Sequence, residues 1–305
     1  MARVLVSGAS GLIGSALLPA LKTSGAQVVR LERPNAAKKT RPSDEEEAIV
    51  WDPAQPLAAE AVSGFDSVIH LAGETIMGRW TDAKKAKIRN SRVTSTINLA
   101  RALSQAANKP KIFVCASAIG YYGNRGDEIL REDSAPGAGF LPEVCRQWEA
   151  AAKTAFDSGI RTVSLRTGVV LSAKGGALAA MLTPFKFGLG GRIGDGRQWM
   201  SWIDLQDMVG AILHILKTDL LQGPVNIVAP RPVTNAEFTK TLAGLLRRPA
   251  ILPVPAFAAK LAFGEMAEEL LLGSQRVEPA KLISSGYPFR FRELKASIAS
   301  VVSGQ

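Results

Sequence analysis

A chain of 305 residues, 47% of them apolar, has enough hydrophobic material for a large buried core and does not have the composition of a disordered segment. No apolar run approaches the roughly 20 residues of a membrane span and no secretory leader precedes the first predicted strand, so the expectation is a cytoplasmic protein with no membrane partner. The 37 Lys and Arg against 27 Asp and Glu give a formal charge of +10, but the basic clusters at Arg30 to Arg41 and Lys84 to Arg92 lack interleaved aromatics, which argues against specific nucleic-acid binding.

Val4-Leu5-Val6 reads as a strand buried on both faces, and Leu12, Ile13, Ala16, Leu17, Leu18 and Leu21 then recur at helical spacing. Between them stand Gly8, Gly11 and Gly14. At such a strand-to-helix turn the first glycine allows a tight bend, the second lets a pyrophosphate approach the backbone, and the third permits close helix packing. Gly8, Ser10, Gly11, Leu12, Ile13 and Gly14 are therefore candidate dinucleotide contacts. A second strand, Ala26 to Leu31, ends at Glu32-Arg33-Pro34. A carboxylate there suits the ribose of NAD(H), whereas arginine accommodates the 2′-phosphate of NADP(H). With Lys38, Lys39 and Arg41 following, NADP(H) is favoured over NAD(H).

Ser43 to Glu47 reads as an exposed acidic loop and Ala48 to Asp52 as a short strand stopped by Pro53. Asp52 is placed either to accept from an adenine amino group or simply to start a turn. Ser67 to Gly73 is the next strand. Its small closing residues would let the backbone approach the cofactor, and His70 reads as a core residue. A helix from Asp82 to Ala107 is followed by strand Lys111 to Ala116, with Ser117 at its C-terminal end, where open parallel sheets bind ligands. Helix Glu143 to Ser158 and strand Thr162 to Arg166 complete an alternation that predicts an α/β fold with a doubly wound parallel sheet of Rossmann type.

Beyond residue 170 the texture turns glycine-rich. Residues 1–170 are expected to bind the dinucleotide, with 200–230 returning to that unit through a helix near Ile203 to Leu216 and a strand Gly223 to Ala229. Residues 171–199 and 231–305 would form a smaller, mostly helical lobe, with helices near Asn235 to Leu246, Pro255 to Phe263 and Met266 to Leu272. Cys115 and Cys145 are too few for a disulfide framework, and neither histidine stands beside them at metal-ligand spacing, so neither a structural disulfide nor a metal is expected.

The motifs Gly8-Ala9-Ser10-Gly11-Leu12-Ile13-Gly14, His70-Leu71-Ala72-Gly73, Ser117 with Tyr121-Tyr122-Gly123, and Arg166-Thr167-Gly168-Val169-Val170-Leu171 resemble an extended short-chain dehydrogenase/reductase of the nucleotide-sugar epimerase type. Gly73-Glu74, Ser91-Arg92-Val93, Trp148-Glu149-Ala150, Ser201-Trp202-Ile203 and Ser274-Gln275-Arg276-Val277 resemble its atypical epimerase-family branch with a small C-terminal domain. The resemblance implies NADP(H) binding, with Arg33 on the 2′-phosphate, Leu71, Ala72 and Gly73 lining the nucleotide, and Gly168 and Val170 near the nicotinamide. It also places Arg92 where relatives have a cofactor-facing asparagine, although an exposed helix charge is the plainer reading. Homodimers occur among such relatives, and that assembly is left open.

The usual chemistry of this family uses serine, tyrosine and, four residues on, lysine. Here Ser117 is present, but Cys145 and Glu149 stand at the Tyr and Lys positions. A carboxylate beside a thiol raises rather than lowers its pKa, so Cys145 reads as a small buried residue. Tyr121 or Tyr122 would then supply the proton. Glu74, Arg79, Trp80, Arg192, Trp199 and Trp202 are candidate substrate-wall residues, and their arginines and tryptophans suggest an anionic substrate with a flat part, such as a nucleotide sugar or phosphorylated metabolite. The expected function is hydride transfer by an oxidoreductase or epimerase-like enzyme. The alternative is a non-catalytic NADP(H)-binding sensor.

Overall fold

The computed structural model describes residues 1–34 and 47–303. Lys38, Lys39, Arg41 and Ser43 to Glu46 lie outside the described residues. A seven-stranded parallel sheet forms the centre, built from β1 (Arg3–Ser7), β2 (Gln27–Glu32), β3 (Ala48–Val50), β4 (Ser67–His70), β5 (Ile112–Ala118), β6 (Arg161–Thr167) and β7 (Gly223–Ile227). Its order is β7-β6-β5-β4-β1-β2-β3, so the winding reverses at the β1/β4 seam. The helices are α1 (Leu12–Thr23), α2 (Asp82–Gln105), α3 (Phe140–Ala151), α4 (Lys153–Asp157), α5 (Gly176–Lys186), α6 (Leu205–Lys217), α7 (Asn235–Leu246), α8 (Ala256–Phe263), α9 (Ala280–Ser284) and α10 (Leu294–Ser303).

The strand alternation accounts for two cores. Val4 and Val6 of β1 and Ile112 and Val114 of β5 face α1 and α6, meeting Leu17, Leu21, Met208 and Ile212. Leu5, Phe113 and Cys115 point the other way, against Leu99 and Leu103 of α2 and Trp148 of α3. β1 and β5 are thus covered on both faces, which is why each reads as an apolar run. A third cluster joins Leu178 of α5, Trp202, Phe238 and Leu242 of α7, and Ile298 of α10. Short pairings tie the outer segments together. Val169–Leu171 runs parallel to Trp202–Asp204, and Ile129–Leu130 parallel to Arg276–Val277.

Several boundaries differ from the sequence reading. The strand holding Ser117 runs on to Ala118, because β5 stays paired with β6 through Thr167. The predicted helix Glu143 to Ser158 begins at Phe140 and divides at Ala152. Its start is set by Gly139, at φ 125°, and by Glu269, whose carboxylate accepts from the Phe140 and Leu141 amides at 2.7 and 2.8 Å. The helix expected from Ile203 starts at Leu205, since Trp202–Asp204 is a strand and Asp204 caps the helix by accepting from Gln206 N at 2.8 Å. Met266 to Leu272 contains a single π-type turn, Ala267–Leu271. Among the described residues no helix is long and apolar enough to cross a membrane.

Candidate functional site

The β1/β4 seam brings the glycine turn against the end of β4. A Cβ on Gly8, at φ +73°, would lie 2.7 Å from Ala72 N and the Leu71 carbonyl carbon. A Cβ on Gly14 would fall 2.2 Å from Gly8 O. These two glycines are required by backbone packing. Gly11 is different: a Cβ there would meet only Gly8 O, at 3.2 Å. It caps α1 with no side-chain hydrogen bond, and the first turn, which begins with Leu12, Ile13 and Gly14, carries no acidic residue. A helix N-terminus left bare in this way is suited to an anion. Ser10 is exposed beside it. Gly176 approaches from the other side, where a Cβ would stand 3.3 Å from Leu12 Cδ2. Sequence reasoning did not single out this second glycine-rich approach.

Below the turn, Ser7 and His70 end β1 and β4. Ser95 gives its one hydroxyl proton to Ser91 O at 2.7 Å. Nε2 of His70 therefore carries the ring proton and donates to Ser95 Oγ at 3.1 Å, while Nδ1 accepts from Ser7. Burial lowers the His70 pKa to about 4. His70 is thus a satisfied core residue at the seam.

At the end of β2, Glu32 is buried and paired with Arg30, Nε to Oε1 at 3.2 Å, while Arg33 is exposed. Oε2 of Glu32 is buried with no hydrogen-bond partner among the described residues. Asp52 is exposed, and its Oδ1 accepts from Ala54 N at 3.1 Å, as in a turn-starting aspartate. Leu71 and Ala72 are half-buried and Gly73 is exposed. The Arg92 guanidinium lies where a Cβ on Gly73 would be 3.3 Å away, over the Trp148 ring at 5.2 Å, and donates to Ile88 O at 3.1 Å. Arg92 is therefore not the freely exposed helix charge of the plainer reading. At Gly168 a Cβ would strike Ser201 O at 2.5 Å, so packing alone requires glycine there. Val170 is half-buried beside it.

The β5/β6 seam carries the polar network. In-register pairing sets Ser117 beside Arg166. Ser117 Oγ donates to Glu149 Oε1 at 2.7 Å. Arg166 clasps the same carboxylate with both arms, Nε to Oε1 at 2.8 Å and Nη2 to Oε2 at 2.9 Å. Burial alone would lower the Arg166 pKa, but the hydrogen bonds and charge of Glu149 outweigh it and hold it above the usual value. The guanidinium also stacks 3.5 Å from the centroid of the half-buried Tyr121 and donates to Tyr122 Oη at 3.0 Å. Glu149, at the position where the family pattern has lysine, is thus one end of a buried ion pair. The sequence reading set Glu149 only against Cys145 and missed Arg166 as its partner.

One expectation changes here. Tyr122 is fully buried, and its hydroxyl donates to Asn226 Oδ1 at 2.7 Å and approaches Arg131 O at 2.9 Å. Burial pushes its pKa up to about 12 despite Arg166. A phenol so enclosed is a structural tie, not a proton donor to substrate. Tyr121 is the remaining tyrosine candidate. Cys145 is buried, and burial first and Glu149 second push its thiol up to about 12.

A recess of about 340 Å³ opens between the loop after β5 and the start of α3, lined in part by Gly120, Asn124, Leu141, Lys260, Glu268 and Glu269, and Ser117, Tyr121, Glu149 and Arg166 do not line it. None of the six expected wall residues lines it. Trp202 is buried in the third core, donating to Arg231 O at 2.9 Å. Trp80 is buried, donating to Ile76 O at 2.7 Å and packing edge-on to Phe140 at 5.2 Å. Both are packing residues, because each indole N–H is spent on a nearby carbonyl. Trp199 donates to Asp127 Oδ1 at 2.7 Å beneath the Arg276 guanidinium. Glu74 is paired with Lys84 at 2.7 Å, whose hydrogen bond lowers its pKa. Arg79 is exposed, and Arg192 lines a separate recess. Both cysteines are free, and the described residues hold no cluster of His, Cys, Asp and Glu suited to a metal.

A doubly wound parallel sheet with a glycine turn at its switch point defines a nucleotide-binding Rossmann protein of the extended short-chain dehydrogenase/reductase kind. The model of the NAD dependent epimerase/dehydratase family matches residues 4–228, and a domain of unknown function (DUF1731) matches residues 254–301. The chain belongs to the NAD dependent epimerase/dehydratase family. It is 40% identical over 298 residues to the epimerase family protein ML0860 of Mycobacterium leprae, covering 97% of this chain and 94% of that one. It is 37% identical to human epimerase family protein SDR39U1, covering 99% and 100% of the two chains. The crystal structure of human SDR39U1 (isoform2) with NADPH superposes with a TM-score of 0.89 at 35% identity, covering 99% of this chain and 100% of that one. A UDP-glucuronic acid 4-epimerase from Bacillus cereus in complex with NAD shares the fold, with a TM-score of 0.77 at 17% identity over 99% and 96% of the chains.

Proposed function

We propose that the chain is an NADP(H)-dependent oxidoreductase or epimerase-like enzyme acting on a small hydroxyl-bearing molecule. The observation that carries this reading is the bare N-terminus of α1 behind Gly11, at the sheet's switch point. Ser10, Gly11, Leu12 and Ile13 would hold the pyrophosphate. The preference for NADP(H) is supported by Glu32, whose charge is drawn into a buried pair with Arg30 and so repels a 2′-phosphate less, and by the exposed Arg33. The unpartnered Glu32 Oε2 would accept from a ribose hydroxyl. The NADPH in the SDR39U1 crystal structure supports the same preference. Residues 1–170 and 200–230 would bind the dinucleotide, and 171–199 with 231–305 would close over the substrate.

When bound, NADP(H) supplies the nicotinamide that takes or gives hydride. Because Ser117 gives its proton to Glu149, its lone pairs remain free to accept from a substrate hydroxyl. A substrate alcohol losing hydride from carbon would pass its hydroxyl proton to Ser117, which passes its own to Glu149. Arg166 fixes the carboxylate for this exchange. Tyr121 would contact the substrate from the side. The recess between the loop after β5 and the start of α3 bears two carboxylates and one ammonium, so a substrate that reached into it would be polyhydroxylated and not strongly anionic.

The commitment of Tyr122 and the Ser117 proton favours a second reading, an NADP(H)-binding sensor without turnover. A metabolite screen of the NADPH- and NADP⁺-loaded protein, following absorbance and thermal shift together, separates the two. Absorbance change that is lost in Ser117→Ala supports the enzyme, and stabilisation with no redox change across the screen supports the sensor.

A further inference from the structure

Away from the nucleotide turn, large apolar side chains stand in solvent on the segments after α5 and between α7 and the end of α8. Phe187, Leu189, Ile251, Leu252, Phe257 and Leu261 are each at least 67% exposed. The two segments that carry them lie side by side, bonded to each other. Val254 N donates to Arg192 O at 2.8 Å, Gly194 N to Val254 O at 2.9 Å, and Arg248 Nε to Lys186 O at 2.9 Å. Residue 255 leads directly from Val254 into α8. An apolar area of this kind on a folded protein marks an interaction surface.

The charges carried by the two segments are of one sign. Residues 174–194 and 238–264 contain no Asp or Glu, and Lys186, Arg192, Lys240, Arg247 and Arg248 are all exposed. Lys260 on α8 is the cation that finds a carboxylate, Glu268 at 2.6 Å. A second copy seated here would press like charges together. Phe187, Leu189, Phe257 and Leu261 are exposed and stand outside both recesses. Beside Ile251 a recess of about 380 Å³, lined by Arg192, Lys240 and Thr239, offers two cations to a phosphate.

We propose that this face is a peripheral docking surface for an anionic lipid bilayer, with the apolar side chains entering the acyl boundary and the cations meeting lipid phosphates. The chain would lie on the membrane without crossing it. The surface is independent of the nucleotide site.

Co-sedimentation of the full chain with vesicles tests this, using phosphatidylcholine alone or mixed with phosphatidylglycerol, at low and high salt. The expected result is binding to the anionic vesicles only, weakened by salt. Arg247→Glu with Arg248→Glu should weaken it about tenfold or more, and Phe257→Ser with Leu261→Ser should also weaken it, with NADPH binding and circular dichroism unchanged in both variants. No binding to anionic vesicles, or binding untouched by both variants, overturns the proposal. A dimer in analytical ultracentrifugation that Phe257→Ser with Leu261→Ser dissociates would also overturn it, assigning the surface to a second copy.

Discussion

The two seams of the sheet make their sites from different material. At β1/β4 the site is backbone, with Gly8 and Gly14 leaving no room for a side chain and Gly11 leaving a helix end bare. At β5/β6 it is interlocked side chains, with Ser117, Glu149, Arg166 and Tyr122 each bonded to the next. A backbone site is broken by adding atoms and a side-chain network by removing a partner. The first is a glycine turn at the sheet's switch point, whereas the second has Cys145 and Glu149 where the family pattern has tyrosine and lysine, with Glu149 paired to Arg166.

The largest expected effect comes from splitting that pair. Glu149→Leu leaves a buried guanidinium unpaired and should destabilise the fold by about 3–5 kcal/mol, while Glu149→Leu with Arg166→Met recovers much of the loss. Urea denaturation of the two singles and the double measures the coupling, and equal, additive losses would remove the pair from the account. The β1/β4 seam contributes a pH effect. The folded His70 pKa of about 4 lies below its ordinary 6.5, so the unfolded state binds more protons between those values. Stability is then fully present above pH 6.5 and falls as pH drops to about 4, by about 3 kcal/mol. The slope should flatten in His70→Gln, measured by denaturation across that window.

A smaller loss of stability is expected from Gly14→Val, which forces atoms against Gly8 O. Overpacking should cost about 1–3 kcal/mol and abolish nucleotide affinity, read by calorimetry. The smallest effect is at the cysteines. Both thiols are buried, and burial pushes both up to about 12. Iodoacetamide at neutral pH should leave the native chain unmodified and label both only after unfolding.

Strands such as β1 and β5 were legible because they are apolar runs covered on both faces, and the glycine turn because its spacing follows from backbone geometry. What the sequence concealed depends on distant partners. The start of α3 at Phe140 is fixed by Glu269, which no local pattern near residue 140 announces. The Glu149–Arg166 pair depends on the β5/β6 register, which brings Arg166 beside Ser117. Trp80 and Trp202 looked like wall residues because an indole suits either a pocket or a core, and only their neighbours decide. The position of Glu149 was legible, but its partner was not.

The central claim is that the turn at Gly11 and the end of β2 hold an NADP(H) molecule. Isothermal titration of the purified chain with NADPH and NADH tests it most directly. The account predicts saturable NADPH binding, tighter than NADH by about tenfold or more, with Arg33→Ala erasing most of the difference. Absence of heat and of competition with either nucleotide would contradict it.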